Sequence, residues 1–191
     1  MGDETKPKMV LVHGYGGSGA LLYRIFKHLI TEFHIFAIDL IGMGSSSRPP
    51  FDCENNEQAD FYMLDYMEKW RVAMNNLTDF VLVGHSYGGY ITGNYAAKYP
   101  QHIQKLILLS PLGCKVPPPG WTFEGMRFAG GRGPPSWAIS ISKYLWGKIT
   151  PFSIARKLSE CRVKKLIAGY VIKHQPGKSP AENSAMENYL Y

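Results

Sequence analysis

The residues with the most chemistry in this sequence are Gly84-His85-Ser86-Tyr87-Gly88, a G-x-S-x-G run. The run follows a short apolar stretch, Phe80 to Val83, and opens a segment of helical character that Pro100 stops. A serine in that position sits on a sharp strand-to-helix turn with its hydroxyl lifted clear of the sheet. The glycines on either side, Gly84 and Gly88, let strand and helix backbones approach without Cβ clashes. The chemistry this suits is nucleophilic attack by Ser86 on an acyl carbonyl. Such attack creates an oxyanion that needs hydrogen-bond donors. One is the backbone N–H of Tyr87, just after the nucleophile. The second comes from His13-Gly14-Tyr15-Gly16-Gly17, where Gly14 and Gly16 free the backbone to aim the Tyr15 amide at the substrate oxygen. Read alone, that glycine-rich stretch suits a tight turn equally well. It does not suit a phosphate loop, because the Gly-Lys-Ser/Thr ending is absent.

A third segment, Asp39-Leu40-Ile41-Gly42-Met43-Gly44-Ser45-Ser46-Ser47-Arg48-Pro49, follows the second apolar run. Asp39 is expected to orient this loop and not to act as a catalytic acid. His85 is expected to point away from the serine and pack. A serine nucleophile also requires a histidine base and an acid that orients it, in the chain order Ser, acid, His for this elbow. After Ser86 the only histidines are His102 and His174, and no Asp occurs beyond Asp79. The acids that remain are Glu124, Glu160, Glu182 and Glu187. None of these groups follows a strand signal. The reading is therefore of a fragment whose acid and histidine lie on sequence not present in these 191 residues. If the chain were whole, a non-catalytic role would follow.

The elements that must position Ser86 are legible in periodicity. Met9 to Val12, His34 to Asp39, Phe80 to Val83 and Lys105 to Leu109 are short, nearly continuous apolar runs, as strands buried on both faces are. Leu22, Ile25, Phe26, Leu29 and Ile30 recur at helical spacing, with Ser18 placed as an N-cap. Between Asn56 and Leu77, the residues Phe61, Leu64, Met67, Trp70, Met74 and Leu77 form one apolar stripe along a long helix. Alternating strand and helix predicts an α/β fold, a parallel sheet with helices on both faces. After Pro111 the pattern breaks into proline- and glycine-rich sequence. Weak helices are expected around Pro135–Trp146, Pro151–Leu158 and Cys161–Ile172, with no further strand.

These motifs, in this order, resemble the α/β-hydrolase superfamily. Within it, Val12 to Gly17, Asp39 to Pro49, Glu68-Lys69-Trp70-Arg71, Gly84 to Gly89 and Leu109-Ser110-Pro111-Leu112-Gly113 resemble one lipid-acting group. That group contains the lysophospholipase acting on N-acyl-phosphatidylethanolamine and the lipid-droplet co-activator of triglyceride lipase. Trp146, Thr150-Pro151-Phe152 and the closing Glu187 to Tyr191 are similar to its lid. The resemblance implies an α/β-hydrolase three-layer fold with a mostly parallel sheet, present in part, plus a helical lid. Residues 1–112 would be the partial core and 113–191 the lid, with the C-terminal core strands absent. It also implies a serine ester hydrolase of phospholipid metabolism, of lysophospholipase or N-acyl phospholipid lipase type, with acyl transfer as a further outcome. The co-activator branch lacks a serine at the elbow, so Ser86 places the chain nearer the hydrolytic branch. The alternative is a lipid-binding or lipase-regulating module without catalysis.

Composition narrows the partners. The chain carries a formal charge of +6, but residues 1–112 hold 9 Lys+Arg against 11 Asp+Glu, whereas residues 113–191 hold 12 against 4. A basic segment rich in Trp, Tyr and Phe suits an anionic membrane or lipid-droplet surface beside a lipid or lysophospholipid substrate. Nucleic acid is not expected, because the cations are dispersed and no recognition module frames them. The three cysteines, Cys53, Cys114 and Cys161, are widely spaced. They suit neither a disulfide framework nor a zinc site, and the expected setting is cytoplasmic. No cofactor or metal is called for.

Overall fold

A computed structural model describes residues 1–114, 119, 137, 140, 141, 144, 158–174, 177 and 179–190. The strands are β1 (Lys8–Val12), β2 (His34–Ile38), β3 (Phe80–His85) and β4 (Ile103–Leu109). They pair in parallel in the order β2-β1-β3-β4. The chain moves outward from β1 to β2, then returns across β1 to lay down β3 and β4. The connections after β1 and after β3 therefore diverge, leaving a crevice at the C-terminal ends of these two central strands, where ligands bind in open parallel sheets.

Each face of the sheet is covered. Leu11, Ile35, Val81 and Val83 face Leu22, Phe26 and Leu29, which lie on the 3₁₀ turn Gly19–Leu22 and helix α1 (Tyr23–Leu29). Val10, Val12, Ile38 and Leu82 face Leu64 and Met67 of α2 (Asn56–Ala73) and Ile91 and Tyr95 of α3 (Tyr87–Lys98). Burial on both faces explains why β1 and β3 read as unbroken apolar runs, whereas β4, at the sheet edge, leaves Leu108 and Leu109 exposed. The result is the three-layer α/β-hydrolase arrangement, present in part.

Three expectations need correction. Ser18 does occupy the N-cap position, but it makes no side-chain cap bond, and its hydroxyl is buried without a hydrogen-bond partner. The long helix ends at Ala73 rather than Leu77, because Asn75 and Asn76 turn to φ of +57° and +55°. Phe61 is 61% exposed and leaves the apolar stripe, its ring lying 4.9 Å from the Lys98 ammonium. Met63, outside that stripe, is buried instead.

The start of α2 is fixed by Asn55, whose side chain accepts from the Gln58 N–H at 2.9 Å. Its far end is tied to α3 by charge. Arg71 is buried and donates Nε and Nη2 to the two oxygens of Glu68, at 2.9 and 2.7 Å. Arg71 Nη1 donates to the Leu77 carbonyl, and the Tyr95 hydroxyl donates to Glu68 at 2.6 Å. A bidentate pair of this kind adds geometric specificity as well as attraction.

A second compact unit spans Pro117–Tyr191. Among its described residues are helices α4 (Glu160–His174) and α5 (Pro180–Leu190), which pack on each other and bury Val171 and Met186. Ser179 and Glu182 form a reciprocal capping box at the start of α5, with Pro180 in the first helical position. The expected helix near residue 161 is α4, while α5 was not anticipated. Trp137, Ser140, Ile141 and Tyr144 are helical, in line with the expected 135–146 segment. The expected helix at 151–158 lies outside the described residues except for Leu158, which is not helical.

Arg71 is buried and Glu68 partly so, and removing the guanidinium strands the carboxylate, so Arg71→Met is expected to lower the unfolding free energy by roughly 1–3 kcal/mol. The Arg71 hydrogen bonds hold Glu68 below its ordinary value of 4.5. The stabilisation is therefore present at neutral pH and fades as acid protonates Glu68. Urea denaturation of both proteins at neutral pH and again well below pH 4.5 measures the difference, which should narrow in acid.

Candidate active site

Ser86 stands between β3 and α3 with φ +54° and ψ −116°, a conformation that costs a non-glycine residue of order 1–3 kcal/mol. Its neighbours hold it there. The Ser86 N–H donates to the Leu109 carbonyl at 3.0 Å, and its own carbonyl accepts from Leu112 at 2.9 Å and Tyr90 at 3.2 Å. The strained turn is thus bonded to the end of β4 as well as to α3.

Contact with β1 depends on missing Cβ atoms. A Cβ on Gly88 would lie 2.3 Å from the His13 carbonyl oxygen and 2.6 Å from that of Val12. A Cβ on Gly84 would lie 2.1 Å from Thr92 Oγ1. Only glycine at both positions lets the first turn of α3 settle on β3 and on the end of β1.

The loop after β1 reaches the serine. A Cβ on Gly14 would lie 3.1 Å from Ser86 Cβ, so the backbone of this loop passes directly beside the hydroxyl-bearing residue. The Gly17 N–H donates to the Gly14 carbonyl at 3.0 Å, closing a turn with Tyr15 and Gly16 at its centre. Gly16 has φ +69°, the value that a type II turn requires at this position. The tight turn and the donor loop, left as alternatives by the sequence, are therefore compatible in one structure. The amide of Tyr87 is the first of α3, and first-turn amides have no partner inside their helix. Tyr15 and Tyr87 meet edge-on at 6.1 Å, and the Tyr87 ring stacks with Tyr90, whose hydroxyl donates to Asp60 at 2.7 Å. Burial raises the phenols of Tyr15 and Tyr87, so these rings stay neutral at physiological pH.

The loops are pinned by His13 and Asp39. The His13 ring is buried; Nδ1 donates to the Gly14 carbonyl at 2.7 Å and Nε2 accepts from the Leu40 N–H at 2.9 Å. Because Nε2 faces an N–H, this nitrogen must be unprotonated. Burial holds the imidazole below its usual pKa, opposed in part by Gly14 and Asp39. Asp39 accepts from the Gly19 N–H at 2.6 Å and the Ser45 N–H at 2.7 Å. It orients the loop, as expected of it. His13 was not singled out in the sequence, where the available signal was a histidine at the exit of an apolar strand.

Among the described residues, no histidine is hydrogen-bonded to Ser86. His85 is exposed, and its ring lies against the backbone of Gly14. His102 lies at the opposite end of the sheet. It precedes β4, its carbonyl accepts from Asp79 at the entrance of β3, and its ring is 3.9 Å from Glu68. Ser86 follows the far end of β3, about 20 Å away at 3.3 Å per residue. His34 opens β2 and Asp39 follows its last residue, so the two lie at opposite ends of that strand. The side chain of His174 lies outside the described residues, as do Glu124 and Trp146. Among the described residues no group of His, Cys, Asp and Glu could hold a metal ion.

A family model described as "alpha/beta hydrolase fold" matches residues 7–132. A protein of Oryza sativa subsp. japonica named "Probable 1-acylglycerol-3-phosphate O-acyltransferase" is 33% identical over 195 residues, covering 99% of this chain and 46% of its own. A "1-acylglycerol-3-phosphate O-acyltransferase" of Arabidopsis thaliana is 37% identical over 156 residues, covering 81% of this chain and 36% of its own. The chain thus spans less than half the length of these relatives. The crystal structure of Cfl2 from Burkholderia cenocepacia matches with a TM-score of 0.69 over 98% of this chain and 59% of that one, at 19% identity, which is a likeness of fold.

Two outcomes follow from the geometry. Gly88→Ala forces a Cβ into backbone oxygens, and overpacking of this kind costs about 1–3 kcal/mol and displaces the elbow. Denaturation and reactivity of Ser86 should both suffer. His13→Ala strands the Leu40 N–H, at a cost of about 1–3 kcal/mol. Since folding keeps His13 neutral, the unfolded chain takes up its proton more readily, and stability falls as pH drops through the usual histidine value near 6.5. A Tm-versus-pH series should show this acid-side slope in the parent and a weaker one in His13→Ala.

Proposed function

The chain belongs to the α/β-hydrolase family, and from that premise we propose that it carries the nucleophile of a serine acyl-ester enzyme acting on glycerophospholipids. The observation that carries this reading is Ser86 itself, held at φ +54° between strand and helix with the Gly14 backbone against its Cβ. In the proposed reaction Ser86 Oγ attacks the acyl carbonyl carbon and gives its proton to a histidine base. The tetrahedral oxyanion is met by the N–H groups of Tyr15 and Tyr87. Collapse expels the lysolipid alcohol, which takes the proton back from the base, and leaves an acyl-enzyme. Water resolves it in a lysophospholipase or an N-acyl phospholipid lipase. The hydroxyl of a lysolipid resolves it in acyl transfer. The names of the two plant relatives favour transfer, with 1-acylglycerol-3-phosphate as acceptor. The histidine and acid belong, in this reading, to sequence outside the described core.

A second reading is favoured by one observation, that no described histidine is bonded to Ser86. In it the fold binds lipid or regulates a lipase and performs no chemistry.

The two separate by labelling the natural protein with a fluorophosphonate in cell extract, followed by assay with acyl-labelled donor and lysophosphatidic acid. The expected result is labelling that is lost in Ser86→Ala, with turnover falling by at least about 10³-fold. Absence of labelling in the natural protein would favour the regulatory reading, and labelling that survives Ser86→Ala would remove Ser86 as nucleophile.

A further inference from the structure

The second unit presents apolar surface that its own packing does not use. Helix α4 turns Val171 inward against α5, with Val163 and Ile167 half-buried beside it. On the opposite side, Arg162, Lys165, Leu166, Gly169 and Ile172 are all exposed. Their spacing of three, one, three and three places them on a single face about one-third of the circumference wide. Leu166 is 60% and Ile172 is 63% exposed, large values for aliphatic side chains on one stripe. The middle of that stripe is open, since a Cβ on Gly169 would meet nothing within 4 Å. Trp137, Ile141 and Tyr144 are also exposed, at 66%, 50% and 73%.

Charge says what these faces meet. Residues 113–191 hold 12 Lys+Arg against 4 Asp+Glu, and Arg162 and Lys165 border the apolar stripe of α4 directly. The one acid on α4, Glu160, pairs with Lys164 at 2.6 Å and leaves the two bordering cations to the stripe. An aliphatic face edged by cations, on a helix of low overall hydrophobicity, is how a helix lies in the headgroup region of an anionic bilayer. Trp and Tyr at half-exposed positions suit the same depth. Among the described residues no helix is long and apolar enough to cross a membrane, so contact would be from one side.

We propose that the Leu166–Ile172 face of α4, edged by Arg162 and Lys165 and assisted by Trp137, Ile141 and Tyr144, is a peripheral anchor that seats on an anionic phospholipid bilayer. The proposal rests on the reading of a glycerophospholipid substrate, which resides in such a surface. Each cation near an anionic surface contributes about fivefold to partitioning, and the contribution is lost at high salt.

The test is co-sedimentation of the 191-residue chain with phosphatidylcholine vesicles, with and without phosphatidylserine. Binding should appear with phosphatidylserine, weaken at high salt, fall at least tenfold in Leu166→Glu/Ile172→Glu, and fall about tenfold or more in Arg162→Gln/Lys165→Gln. The second variant changes only exposed side chains, so it keeps the test informative if the first fails to fold, which circular dichroism reports. Equal binding to both vesicle types, no binding to either, or binding unchanged in the cation variant would each overturn the anchor. Fluorophosphonate labelling of the natural protein uses no vesicle, so loss of the anchor and loss of the nucleophile are read separately.

Discussion

The constraint on which the core depends is the contact between the first turn of α3 and the ends of β1 and β3. Two backbones cross there at distances that leave no room for a Cβ on Gly84 or Gly88. Once α3 is seated that closely, the residue joining β3 to it must reverse direction within a single position. Ser86 does so by adopting a positive φ. The strain is held by bonds from Leu109 and Leu112, so it is shared with the strand and turn beyond. A serine that would otherwise relax into the chain is thereby kept proud of the sheet.

A second constraint acts at right angles to the first. The loops after β1 and β2 are irregular, and His13 and Asp39 hold them through backbone amides: His13 through Leu40, Asp39 through Gly19 and Ser45. Each bond crosses from one loop to another or closes a loop on itself. The turn at Gly14–Gly17 is therefore fixed beside Ser86 without contributing a reactive side chain. What it presents to Ser86 is backbone.

The four strands, the helices between them and the elbow were legible because each has a local signal: an apolar run, a helical period, a glycine pattern. What the sequence did not disclose is mostly relational. His13 reads as an ordinary strand-end residue until Leu40 is brought against it. Glu68 and Arg71 look like any charged pair one turn apart on a helix. Only the arrival of Tyr95 and the Leu77 carbonyl makes them a joint between elements. Phe61 keeps the helical period yet is exposed, since periodicity names a face but not where that face runs past its neighbours. The start of α5 is a different case. Ser179, Pro180 and Glu182 are a local capping signal that was available in the sequence and was not used.

The position of the histidines separates two properties that usually travel together. Geometry at Ser86 is produced by β1, β3, β4 and α3, and needs no imidazole. His102 belongs to the other end of the sheet, where it completes the surroundings of Glu68. A sheet built from apolar strands can therefore hold a strained serine whether or not a base is brought to it, because the energy that holds the turn comes from glycine packing and backbone hydrogen bonds. Proton transfer is added from outside that frame. The elbow accordingly fixes where the Ser86 hydroxyl stands, independently of any imidazole. The residues that build this core are thus separable from any that would move a proton at Ser86.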